Sequence, residues 1–305
     1  MDKNLNFKIS KKLINNAISI FLFHGVIKKN NFLVRNYTNK HIQESFFEKL
    51  IIKLKKTGTA ISMDDVLNIY ENKEKIRGKL FAITFDDGFE NNLSIAYPIL
   101  RDNKIPMMSY LTTNFINLNE MSWIDKIEHA IEKTKKKEIL IDQKVFKINT
   151  LQDKILFLNS IRSNYKRKKN IDLYKFANQI IFKAGFDKIS NLRNQLDLKM
   201  SWDQILKYKD DKYISFGGHG HSHRILSFLT KKKLKNELEQ CKKFLLKKGK
   251  IETSHFSYPE GLKYCYSFNV INNLKKLNFR CSPTAIEGAN KENQNLFNLK
   301  RIMVS

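Results

Sequence analysis

Three of the seven histidines fall within five residues, His219-Gly220-His221-Ser222-His223, directly after the apolar run Tyr213–Phe216. The i, i+4 spacing of His219 and His223 lets two imidazoles meet one metal ion from a helical turn or a tight loop. Gly217, Gly218 and Gly220 give the chain room to turn, and His221, between the two, is expected to face away. A second apolar run, Phe81-Ala82-Ile83-Thr84-Phe85, ends in Asp86-Asp87-Gly88. Adjacent side chains alternate along a strand, but a turn at its end can bring both carboxylates into one pocket. Two neighbouring buried anions need a cation or a shared proton. Taken alone, Asp-Asp-Gly is also what a helix cap beside a surface acid looks like. Combined with the two histidines it gives an Asp-His-His ligand set with a position left for water, and a second aspartate to take that water's proton. A third run, Phe21-Leu22-Phe23, ends at His24, which has the chemistry to protonate a leaving group or to serve as a hydrogen-bonded core residue.

All of these groups stand where apolar β-rich runs stop. The runs are Ile18–Phe23, Leu80–Phe85, Met107–Thr112, Tyr213–Phe216, His255–Tyr258, Phe279–Ser282 and Leu296–Val304. Amphipathic stretches lie between them: Gln43–Thr57, Leu93–Asn103, Lys231–Lys248 and Ser267–Leu277. Ser62 and Thr230 are placed as N-caps. Strand–helix alternation predicts an α/β fold, a parallel sheet or barrel, and barrels gather their chemistry at the C-terminal ends of the strands. The alternation breaks over 119–200, a mostly helical, basic segment with an expected hairpin, Glu138–Ile141 and Val145–Ile148, turning at Asp142-Gln143. It reads as an insertion or lid within a single 1–305 domain.

The protein has 305 residues, with 56 Lys+Arg against 30 Asp+Glu, a net charge of +26. The 42% hydrophobic content excludes disorder. The lysines are scattered and come with no finger spacing or aromatic-interleaved basic motif, so the charge reads as a compositional bias and no specific nucleic-acid partner is expected. Cys241, Cys265 and Cys281 form no C-x-x-C pair and fit a reducing compartment. Lys3, Lys8, Lys11 and Lys12 precede the apolar run Ala17–Phe23, which is too short to span a bilayer and makes a poor signal peptide. The expectation is a cytoplasmic protein with peripheral attraction to anionic membrane.

The chain resembles the polysaccharide deacetylases of the NodB-homology group, carbohydrate esterase family four. The resemblance rests on Thr84-Phe85-Asp86-Asp87-Gly88 and on the His219–His223 pair. Phe256-Ser257-Tyr258-Pro259-Glu260-Gly261, Met200-Ser201-Trp202 and Lys300-Arg301-Ile302 support it. It implies a distorted (β/α) barrel of about seven strands. It also implies hydrolysis of an N-acetyl group on a sugar, nucleotide-sugar or glycolipid precursor by metal-activated water. Asp86 matches the catalytic base, and Asp87, His219 and His223 match the ligands of a divalent metal, usually zinc. The Tyr258 backbone N–H matches an oxyanion donor, and Trp202 and Arg301 are placed at the substrate. Three features depart from the common pattern. Gly220 replaces a hydroxyl residue, no arginine precedes Tyr258-Pro259, and no leucine-x-histidine closes the chain. Arg301 is the substitute for the base-orienting arginine, and His24 matches the acid of a branch with permuted motif order. The alternatives are a superfamily amidohydrolase acting on a non-sugar C–N bond, and a basic anion-binding protein with a vestigial site.

Overall fold

The computed structural model describes residues 11–189 and 194–305; Lys3 and Lys8 lie outside them. Strand β1 (Ala17–Phe23), buried throughout, pairs in parallel with β5 (Lys79–Phe85) on one side and β11 (Leu299–Met303) on the other. The parallel sheet continues through β6 (Met107–Leu111) to β9 (Ile214–Gly218), and from β11 to β10 (Pro283–Glu287). The short β4 (Thr59–Ala60) adds to β5, making seven strands. Two isolated parallel bridges, Gly218↔Phe256 and His255↔Cys281, lead from β9 back toward β10 and close the ring. The result is a distorted barrel in a mixed α/β fold.

The bridges occupy the places where the sequence suggested strands at 255–258 and 279–282. The Phe256 N–H donates to Cys281 and the Ser257 N–H to Gly218, but Pro259 has no N–H to carry the ladder on. A second difference concerns the helix expected over 93–103. It divides into a π-helical turn, Asn92–Ala96, and α3 (Tyr97–Asp102). Pro98 cannot donate to the preceding turn.

The outer helices form as their patterns predict. Helix α1 (Glu44–Thr57) buries Phe46, Phe47, Leu50, Ile51 and Leu54. Helix α2 (Met63–Glu71) starts in a capping box at Ser62 with Asp65. A two-stranded parallel pair, β2 (Gly25–Ile27) and β3 (His41–Gln43), lies between β1 and α1 in the chain. After β6 come α4 (Thr113–Leu118) and α5 (Trp123–Lys133), then the antiparallel hairpin β7 (Glu138–Ile141) and β8 (Lys144–Lys147). Its turn residues, Asp142 and Gln143, both have positive φ, as a tight hairpin turn requires. Helices α6 (Leu151–Tyr165) and α7 (Leu173–Lys183) follow. They pack with α5 around an apolar cluster of their own that includes Ile127, Ile131, Phe157, Leu158, Phe176 and Ile180. Helix α8 (Trp202–Tyr208) leads into β9, and α9 (Lys231–Lys247), capped by Thr230, and α10 (Phe268–Lys276) complete the outer layer.

Candidate active site

Strand period and register decide what reaches the barrel interior. Ile20 pairs with both Ala82 and Arg301, and Leu22 pairs with Thr84. Two residues further on, the same inward parity belongs to His24 and Asp86, with the Asp86 N–H donating to Phe23. Asp87 has the opposite parity, but its left-handed φ of 74° turns the chain there and returns its carboxylate to the same pocket.

Asp86 is buried and held by Arg301, whose two terminal nitrogens donate to its two oxygens at 2.9 and 2.7 Å. Arg301 is itself buried and also donates to Thr284 O, Thr84 Oγ1 and Ser257 Oγ. Burial alone would raise the Asp86 pKa, yet the guanidinium outweighs it and holds the carboxyl below its ordinary value. Arg301 therefore sits behind Asp86 and not on the open wall of the cavity. Its guanidinium is spent on Asp86, Thr284, Thr84 and Ser257.

Asp87 Oδ1 lies 3.2 Å from His223 Nε2 and 3.5 Å from His219 Nε2. It is buried and accepts no well-directed hydrogen bond. The three donor atoms lie within 4.8 Å of one another. His219 Nδ1 sits 2.9 Å from the Ser257 carbonyl, so the proton belongs on Nδ1 and the Nε2 lone pair points toward Asp87. Burial lowers the His219 pKa, keeping it neutral. Burial would also lower His223, but the Asp87 carboxylate outweighs it and raises this pKa. A carboxylate oxygen facing two imidazole nitrogens without a hydrogen bond is the donor set a divalent cation fits.

Lys40, which the sequence reading did not single out, neutralises the other side of Asp87. Its ammonium is 3.1 Å from Asp87 Oδ2 and 3.1 Å from Asp125 Oδ2. Burial would raise the Asp87 pKa, and Lys40 with His223 drives it well below the ordinary value. The loop carrying both histidines is held by Glu237 of α9. This buried carboxylate accepts the His221 N–H at 2.8 Å, the Ser222 N–H at 2.6 Å and the Ser222 hydroxyl at 2.7 Å. His223 adopts φ 54° in that loop and Gly220 φ 78°. A Cβ at Gly220 would stand 3.2 Å from Glu237 Oε1 in a left-handed backbone conformation that favours glycine. His221 turns away as expected, 2.9 Å from Thr113 Oγ1.

Lys40, Asp86, Asp87, His219 and His223 line a cavity of about 280 Å³ together with His24, Trp123, Arg162, Lys166 and Glu260. Burial pushes the His24 pKa down to about 4, so its imidazole is neutral at pH 7. Arg162 pairs with Glu128 at 2.5 Å, and Lys166 pairs with Glu260. Both cations come from α6 or the residue after it. Trp202, expected at the substrate, instead starts α8 and packs its ring 6.4 Å from Phe244; Trp123 is the tryptophan on the cavity wall. The Tyr258 ring is buried, stacked on Tyr266 at 4.5 Å, and its hydroxyl donates to Phe297 O. Only the Tyr258 main chain, next to Ser257, is left to serve the site.

The family model described as Polysaccharide deacetylase matches residues 164–282. Among solved structures, the fold is similar to the Streptococcus pyogenes deacetylase PplD in complex with acetate, with a TM-score of 0.61 and 16% identity. That likeness covers 95% of this chain and 93% of the other. IcaB from Ammonifex degensii is similar with a TM-score of 0.58 and 13% identity, covering 95% and 92%. A sequence similarity of 30% over 210 residues links 67% of the chain to the DNA-directed RNA polymerase subunit alpha of Carsonella ruddii (strain PV). The chain spans 58% of that protein's length. Having 47 lysines in 305 residues, this chain accumulates identities with any equally lysine-rich sequence. The likeness in fold to PplD, by contrast, covers 95% of the chain in three dimensions. Residues 164–282, which carry His219, His223 and Tyr258, thus match the polysaccharide deacetylase family model, and the fold of the whole chain is similar to that of solved deacetylases.

Proposed function

We propose that the protein is a metal-dependent deacetylase that removes an N-acetyl group from a sugar, nucleotide-sugar or glycolipid precursor. The observation that carries this reading is the orphaned Asp87 Oδ1 facing two imidazoles, next to a second carboxylate kept ionised by Arg301. Asp87, His219 and His223 would hold the ion, and two nitrogens with one carboxylate suit zinc. A bound divalent ion supplies polarisation of the acetyl oxygen and a lowered pKa for water. Asp86 takes the proton of the attacking water, and the Tyr258 N–H supports the developing oxyanion.

The leaving nitrogen must then gain a proton as the C–N bond breaks, giving acetate and a free amine. His24 was the expected donor. With its pKa near 4, the imidazole carries no proton to give in the resting site at pH 7. In our reading Asp86 returns the proton that it took, and His24, beside it on the inner face, accepts a hydrogen bond from the amine being formed. Trp123, Arg162 and Lys166 contact the sugar, which assigns substrate choice to the 119–200 insertion within the barrel domain. The three cysteines are unpaired and buried, which supports a reducing, cytoplasmic setting. No helix among the described residues is long and apolar enough to cross a membrane.

The test is acetate release by the zinc-loaded protein across acetylated sugars, nucleotide-sugars, oligosaccharides and non-sugar amides. Release from an acetamido-sugar supports the proposal. Turnover of non-sugar amides alone would transfer the site to the amidohydrolase reading.

A further inference from the structure

The hairpin of the insertion carries a surface that the chemistry at Asp86 does not use. Ile139 and Ile141 of β7 point inward and are buried. Leu140 and Val145 face each other in register on the outward side, 51% and 55% exposed. Phe182, near the end of α7, is 71% exposed. It is tied to the same place, because the next residue, Lys183, donates to the Leu140 carbonyl at 2.7 Å. Single exposed apolar residues are ordinary, but three around one hairpin call for a reason.

The charge around them narrows what that reason is. Six of the fifteen residues over 133–147 are lysine, against 47 of 305 in the whole chain. These are Lys133, Lys135, Lys136, Lys137, Lys144 and Lys147; all are exposed and none makes an ion pair with a described residue. The acids of that stretch are Glu138 and Asp142, and Asp142 accepts the Tyr165 hydroxyl at 2.6 Å. That last contact fixes the hairpin's turn against the end of α6, one residue before Lys166, which lines the catalytic cavity. A second copy of the chain would bring six lysines against six. A nucleic acid would meet the cations but gain nothing from Leu140, Val145 and Phe182.

We infer that this hairpin, with the adjoining end of α7, docks on an anionic lipid surface: Leu140, Val145 and Phe182 enter the headgroup layer and the lysines meet the lipid phosphates. The turn's attachment to Tyr165 places the cavity wall beside the docked face. The inference stands apart from the deacetylase reading, and its test uses no turnover.

Co-sedimentation of the full chain with vesicles of phosphatidylglycerol and phosphatidylcholine in equal parts provides that test, with pure phosphatidylcholine vesicles as reference. Binding to the anionic vesicles alone is expected. Lys135→Gln, Lys136→Gln and Lys137→Gln together should weaken it roughly a hundredfold, at about fivefold per lysine. Leu140→Ser, Val145→Ser and Phe182→Ser together should weaken it at least tenfold at unchanged net charge, with the thermal midpoint kept. The control is Lys231→Gln, Lys232→Gln and Lys233→Gln, at the start of α9, which should leave binding in place. Equal loss in that control would assign binding to the net charge and overturn the inference, as would unchanged binding of the serine variant or no binding by the wild type. A wild-type dimer abolished by the serine variant would give the face to a second copy and overturn it as well.

Discussion

Replacing Arg301 with lysine probes Asp86, the proposed base, without touching a proposed metal donor. The guanidinium makes two hydrogen bonds to Asp86 and three more to Thr284, Thr84 and Ser257. An ammonium on a flexible stem cannot span both carboxylate oxygens. Losing one charge-assisted hydrogen bond of about 1.5–3 kcal/mol weakens the hold on ionised Asp86. At about 1.4 kcal/mol per pH unit, the acid limb of kcat/KM should move up by about one to two units. The sign follows from the direction of the native shift. Asp86 is depressed by Arg301, so weakening the partner lets burial raise it, and activity is lost at a higher pH than in the wild type. The same depression contributes stability above the unfolded carboxyl's pKa that is lost as pH falls through the folded one. Arg301→Lys should therefore also begin acid unfolding at a higher pH. The assay is a pH series of acetate release, with bound zinc measured on the same samples. A limb that stays in place while activity falls would refute the role given to Arg301 and leave it as a packing residue.

Three further outcomes follow from the same contacts. His24→Asn should cost much less than Asp86→Asn, and the wild-type plateau should be flat from pH 5 to 8; a tenfold decline per unit above about pH 4 would make His24 the acid. Glu237→Ala should weaken zinc binding about 10- to 100-fold by releasing His221 and Ser222, while Glu237→Gln, which keeps an acceptor for both N–H groups, should restore most of it in a chelator competition. Lys40→Met strands Asp87 and Asp125 as buried anions and should destabilise the metal-free protein by about 3–5 kcal/mol. Added zinc should recover part of that loss in a thermal melt, and an equal loss with and without zinc would contradict the pairing.

Much of the site is legible in the chain because strand ends announce it. Thr84–Gly88 and His219–His223 each close an apolar run, and period-two alternation turns that into an inward Asp86 and Arg301. The hairpin at 138–147 and the caps at Ser62 and Thr230 are equally local signals. Residues that act by arriving from elsewhere leave no such mark. Lys40 is one lysine among 47, in the connection between β2 and β3, and its meaning comes only from standing between Asp87 and Asp125. Glu237 looks like any acid on an amphipathic helix until its carboxylate is seen under the histidine loop. Trp202 and Trp123 both begin helices after a serine, and only packing decides which one reaches the cavity. The stretches at 255–258 and 279–282 have strand composition, yet with Pro259 ending the ladder they form only isolated bridges, two in the first and one in the second.

In the proposed mechanism Asp87, His219 and His223 hold the metal while Asp86 moves the proton. Zinc bound at equilibrium and acetate released, measured side by side for the wild type, Asp86→Asn and His219→Ala, separate the two roles. About one zinc per chain is expected in the wild type and in Asp86→Asn, with turnover in Asp86→Asn down by about 10²–10⁴. His219→Ala should lose both metal and turnover. Full activity in Asp86→Asn, or undiminished zinc in His219→Ala, would contradict it.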